Sequence, residues 1–173
     1  MTFRGLDLKN PPTPEAVQRT IIEQQLRLQH DVKAAAGWFL WVAGLSVVNS
    51  VLHLSGVRFQ FIFGLGIAQL VDALARRIGG ASFLLDIIIN GFLVGVFVTF
   101  FHFGRQGKKW AFQSGMILYA VDGLLMLLFK AFLGFAFHLF ALGAMYAGVA
   151  AISRLEEVKL EQPSSPSDVA SGQ

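Results

Sequence analysis

Four apolar runs, over residues 34–54, 83–103, 110–129 and 131–152, each reach the roughly 20 residues that a helix rising about 1.5 Å per residue needs to cross bilayer hydrocarbon. No other feature constrains the fold as strongly. Lipid offers no partner to a backbone N–H or C=O, so runs of this kind fold as helices that satisfy their own backbone and then pack side by side. The composition agrees: 54% of residues are hydrophobic and only 14% are charged, against about 25% charged in soluble domains. The expected fold is an all-α, polytopic integral membrane helical bundle. It comprises four transmembrane helices, an amphipathic N-terminal helix and a short interfacial or re-entrant helix.

The same residues exclude several classes of function. A net charge of +3 could suit nucleic acid, but the basic side chains cluster at the ends of the apolar runs, where anionic headgroups would meet them. Nucleic acid is therefore not an expected partner, and the lipid bilayer is. The chain has no cysteine, which removes disulfides, thiolate metal sites and thiol catalysis. No two ligands stand at a diagnostic spacing such as HExxH, and His53, Asp86, Asp122 and His138 would each come from a different helix, so no metal is expected. Ser46, Ser50, Ser82 and Ser114 occupy no G-x-S-x-G setting. With no phosphate- or dinucleotide-binding glycine loop either, no cofactor and no enzymatic activity are expected.

Residues 1–33 lack the apolar core and cleavage site of a secretory signal, because Pro11, Pro12, Glu15, Arg19, Glu23 and Arg27 interrupt them. Thr13, Pro14 and Glu15 read as an N-cap, a first-turn proline and an acidic residue at the positive end of a helix. Val17, Ile21, Leu28 and Val32 then recur near one face, which predicts an amphipathic juxtamembrane segment running into the first span. Residues 34–153 form the transmembrane bundle. From 154 to 173 the chain turns charged, then small and polar, as expected of a disordered tail.

Topology turns on residues 59–75, a 17-residue apolar stretch carrying Gln60, Gln69 and Asp72 and followed by Arg76 and Arg77. Lysine and arginine collect on the cytoplasmic side of short loops. If the stretch does not cross, ten basic residues lie inside and four outside; if it crosses, eight lie inside and six outside. Four crossings are favoured, with both termini cytoplasmic in a plasma (inner) membrane. Residues 59–75 then form an interfacial or re-entrant helix, the alternative being a short fifth crossing.

Ionisable side chains within spans are expensive and mark function or pairing. Asp122 lies eight residues before the turn at Lys130 and His138 eight after it, so on an antiparallel hairpin they fall about 12 Å from the turn and can face each other. Asp86 and Asn90 share one face of the second span, and Asn49 and His53, with Ser46, one face of the first. All lie in the same half of the membrane, as a candidate intramembrane polar site. The competing reading is a buried Asp122–His138 pair that fixes hairpin register, with His53 and Asp86 reaching the headgroups.

Gly91 with Gly95, and Ala144 with Gly148, are small-x-x-x-small ridges suited to close helix packing. Arg105, Lys108 and Lys109 form a basic loop facing headgroups. The function these features favour is a non-catalytic accessory or scaffold module that self-associates or joins a larger membrane complex. The alternative is a small oligomeric proton- or cation-linked transporter or channel that uses the Asp/His pair.

Overall fold

A computed structural model of the chain describes residues 13–54, 66–67 and 82–160. Four helices account for nearly all of them: α1 (Pro14–Leu54), α2 (Ser82–Arg105), α3 (Lys109–Leu128) and α4 (Phe132–Leu160). All four are long and apolar enough to cross a membrane. Apart from Gly66 and Ile67, the expected short helix over 59–75 lies outside the described residues, as do 1–12, 161–173 and the side chains of His53 and Asp86.

α1 is a single helix of 41 residues, about 60 Å long and so roughly twice the thickness of the hydrocarbon core. It begins where the sequence predicts: the Thr13 hydroxyl accepts from Ala16 N–H at 3.3 Å, and the Thr13 carbonyl accepts from Val17 N–H. Its polar first half has a local reason to stay helical. Glu15, Arg19, Glu23, Arg27 and Asp31 follow one another four residues apart with alternating sign, all exposed, and i,i+4 pairs of opposite charge support a solvated helix.

The α2–α3 and α3–α4 turns are built alike. After α2, Gly107 N–H bonds to Gly104 C=O and Lys108 N–H to Phe103 C=O; after α3, Lys130 N–H bonds to Leu127 C=O and Ala131 N–H to Met126 C=O. Each is a Schellman motif, whose closing residue takes a left-handed conformation. Gly107 does so at φ 75°, and Lys130 at φ 57°. The lysine accepts a conformation that favours glycine, and the α3–α4 hairpin turns there, as its position between two apolar runs predicts.

α1 is the spine, packing along both α2 and α4, while α3 and α4 pair as the hairpin. The core is aromatic. Phe39 of α1 is fully buried between Phe97 and Phe100 of α2 and Phe112 of α3, at ring centroid distances of 6.3, 5.8 and 5.5 Å. Such close approach needs small neighbours. A Cβ at Gly148 would stand 2.6 Å from the Phe112 ring and 2.7 Å from Ala35 Cβ, and one at Gly115 would enter the Phe39 ring. At the base of the bundle, the end holding the α2–α3 turn, Lys109 pairs with Glu156. There α4 continues past Arg154 to Leu160, and Leu155 and Val158 join the apolar cluster that holds Leu28 and Val32 of α1.

Candidate functional site

Asp122 and His138 meet. The hairpin brings His138 Nε2 to 2.8 Å from Asp122 Oδ2, with the two residues 4% and 1% exposed. Three further hydrogen bonds complete the cluster. Gly66 N–H donates to Asp122 Oδ2 at 3.0 Å and Ile67 N–H to Oδ1 at 2.9 Å, while His138 Nδ1 lies 2.7 Å from the carbonyl of Gly134, one turn earlier on α4. One carboxylate thus fastens α3 to α4 and to a segment more than fifty residues earlier in the chain.

The partners determine where the hydrogens lie. A carbonyl only accepts, so the Nδ1 of His138 carries a hydrogen and donates it to Gly134. The Nε2–Oδ2 contact then holds one proton, either as imidazolium with carboxylate or as imidazole with carboxylic acid, and both arrangements are neutral overall. Two backbone donors on the carboxyl decide between them. Oδ2 already accepts from Gly66, a role a carboxylate oxygen fills well and an acid hydroxyl poorly, so the geometry favours the charged pair with four charge-assisted bonds.

The surroundings hold this arrangement in place. Tyr119, one turn before Asp122 on α3, stacks on the imidazole at 4.2 Å between ring centres and 17° between planes. Behind it, Phe97 meets the tyrosine edge-on at 6.0 Å, so an unbroken line of rings joins the Phe39 core to the polar cluster. Glycine sets the two close approaches. A Cβ at Gly123 would stand 3.0 Å from His138 Cβ, and one at Gly66 would stand 3.0 Å from Asp122 O and 3.2 Å from Met126 N. The second of these lets the Gly66 backbone approach α3 closely enough for both N–H groups to reach the carboxylate.

The other expected polar residues divide. Asn90 and Ser46 are buried and Asn49 is half-buried on their own helices, and the four hydrogen bonds named above are made by other residues. Among the described residues, no three His, Asp or Glu side chains gather as a metal shell. The two packing ridges also behave differently. Gly148 is buried in the α1–α3–α4 contact with Ala144 one turn before it, whereas Gly91 and Gly95 lie on an exposed face of α2 where an added Cβ meets nothing within 4 Å. In the basic loop, Arg105 lies over the Phe101 ring at 5.2 Å, Lys108 is exposed, and Lys109 is engaged by Glu156.

Four members of the site escape the sequence reading. The i,i+3 spacing of Tyr119 and Asp122, and a glycine beside the aspartate at 123, were signals for a stacked ring and a close hairpin. The Gly66 and Ile67 donors had none, because backbone N–H groups leave no compositional trace. Comparison with known proteins adds no relative: no family model, curated protein or solved structure matches the chain.

Proposed function

We propose that this chain is a non-catalytic integral membrane module, an accessory or scaffold protein that works by packing its helices against a second copy or a larger membrane complex. The observation that carries the reading is the closure of the polar cluster. A group that moves or transforms a substrate has to be reachable and to keep a bonding position open. Asp122 and His138 instead direct both carboxylate oxygens and both ring nitrogens at partners from the same chain, as a structural fastening does. Meanwhile the outer face of α2 presents Gly91 and Gly95 beside the well-exposed Phe92 and Ile88, a surface that a neighbouring transmembrane helix could approach closely. The count of basic residues supports both termini on the cytoplasmic side of a plasma membrane.

Mild-detergent extraction from native membranes, followed by crosslinking and affinity recovery, tests the proposal. Recovery as a homo-oligomer or within a defined complex is the expected result, and recovery of monomer alone would count against it. A second reading, a small oligomeric proton- or cation-linked transporter or channel, draws on the single proton held between Asp122 and His138. Its mark would be a flux in liposomes that Asp122→Asn abolishes while the fold survives.

A further inference from the structure

Near the base of the bundle, α1 and α4 part to leave a groove of about 460 Å³ that opens to the outside of the bundle. Its walls are small: Ala34 and Ala35 on α1 face Ala147 and Ala150 on α4. Its deep end is marked by Trp38, whose ring meets Phe140 edge-on at 5.3 Å. At its mouth stand two opposite charges, Asp31 of α1 and Arg154 of α4.

The depth has a meaning in a membrane. Ala144 and Arg154, both on the lining, are ten residues apart on one helix, or about 15 Å, which is half of a hydrocarbon core about 30 Å thick. A groove of this length matches the acyl chain of one leaflet. Asp31 and Arg154 then fall at headgroup level, just outside the apolar spans. They do not neutralise each other: among the described residues Arg154 forms no ion pair, and the one basic side chain within 4 Å of Asp31 is the adjacent, exposed His30 at 3.8 Å, a partner only when its ring is protonated. Two exposed charges of opposite sign, not paired with each other, stand above an alanine-walled slot and complement an amphiphile that carries both signs in its headgroup.

We infer that this groove is a binding site for a single phospholipid whose headgroup carries a phosphate and a primary ammonium, of the phosphatidylethanolamine class. The Arg154 guanidinium takes the phosphate, for which its planar fork of donors is suited. Asp31 accepts from the ammonium. A quaternary choline headgroup has no N–H to donate, and an anionic headgroup without the amine faces the Asp31 carboxylate unfavourably. The alanines leave the volume for the chain, and Trp38 sets its depth. The inference is independent of the scaffold proposal, because the site lies on another face from Gly91 and Gly95 and far from Asp122.

The test uses the full-length protein in nanodiscs of phosphatidylcholine doped equally with phosphatidylethanolamine and phosphatidylglycerol, with the lipids retained after gentle release counted by native mass spectrometry. Each charged contact near the surface supports a preference of about fivefold, so the ethanolamine lipid should be retained at least about fivefold above its share in the disc. Asp31→Asn should remove its advantage over phosphatidylglycerol, and Arg154→Gln its advantage over phosphatidylcholine. Both side chains are exposed, so these variants keep the fold. Ala147→Phe, which fills the groove without touching a charge, should abolish retention of any lipid there. Retention of all three lipids at their bulk ratio overturns the inference. So does equal enrichment of phosphatidylglycerol that is indifferent to Asp31→Asn, which would leave only an arginine attracting anionic lipid.

Discussion

A double-mutant cycle on Asp122 and His138 reads out what the cluster contributes and in which protonation state it rests. Asp122→Ala leaves the imidazolium of a residue 1% exposed without a counterion, and the N–H groups of Gly66 and Ile67 without an acceptor. Removing one partner of a buried ion pair costs about 3–5 kcal/mol, and each orphaned donor about 1–3 kcal/mol. The terms overlap, because the lost bonds all end on one carboxylate, so the expected loss is about 3–5 kcal/mol. His138→Ala should cost about 3 kcal/mol, since the carboxylate keeps its two backbone donors. The double variant removes both charges together. It should be less destabilised than the two single losses added, with a coupling energy of about 2–3 kcal/mol. Cavity terms cancel in the cycle to first order, which leaves the interaction itself. Reversible unfolding in bicelles, followed by steric trapping, measures all four corners. The benchmark is the neutral interhelical hydrogen bond in membranes, whose coupling averages about 0.6 kcal/mol and reaches about 1.7 kcal/mol. A measured coupling near 0.6 kcal/mol would refute the charged pair and make the contact an ordinary imidazole–carboxylic acid bond.

Two turns of one design offer an internal control. Lys130→Gly should raise stability by about 1 kcal/mol, because glycine takes the left-handed conformation without the strain of a Cβ, and Gly107→Ala should lower it by about 1 kcal/mol; thermal denaturation of the two variants should shift in opposite directions. Gly148→Val drives a side chain into the Phe112 ring and Ala35, which should cost about 1–3 kcal/mol in the same unfolding assay. A Cβ at Gly95 meets nothing within 4 Å, so Gly95→Leu should change monomer stability by no more than about 0.5 kcal/mol. If α2 packs against a second copy, the same variant should shift the oligomer to monomer on crosslinking.

What could be read from the sequence follows from how strongly each signal is enforced by lipid. The four long apolar helices were legible because a helix able to cross hydrocarbon has little freedom in length or composition. The predicted starts at Phe83 and Trp110 fall one residue inside the observed helices. The Asp122–His138 contact was legible because a tight turn at Lys130 fixes depth on both arms of a hairpin by counting residues. Azimuth was harder to read. Gly91-x-x-x-Gly95 and Ala144-x-x-x-Gly148 carry the same pattern, yet only Gly148 is pressed between helices. In lipid an apolar face is equally at home outside and inside, so hydropathy cannot tell which small ridge is internal. The Thr13 cap and the shared face of Val17, Ile21, Leu28 and Val32 predicted a helix running into the first apolar run, and α1 continues through Gly37 without a break.

That indifference of hydropathy also explains why a polar pair stands where it does. Between helices already in lipid there is no hydrophobic force to select one neighbour over another, so selection falls to close packing and to hydrogen bonds. The base half of this bundle uses packing: Phe39 and Phe112 wedge against Gly115 and Gly148, contacts that glycine alone permits. Toward the α3–α4 turn the smaller buried side chains give way to Leu124, Leu127, Leu128, Phe132 and Leu133, all well exposed, and such residues pack almost as well on lipid as on each other. A directional contact is needed there if the hairpin is to keep its register. Asp122 and His138 supply it, and by recruiting Gly66 and Ile67 they extend the same specificity to a segment that the apolar pattern alone left able to cross the membrane or to turn back.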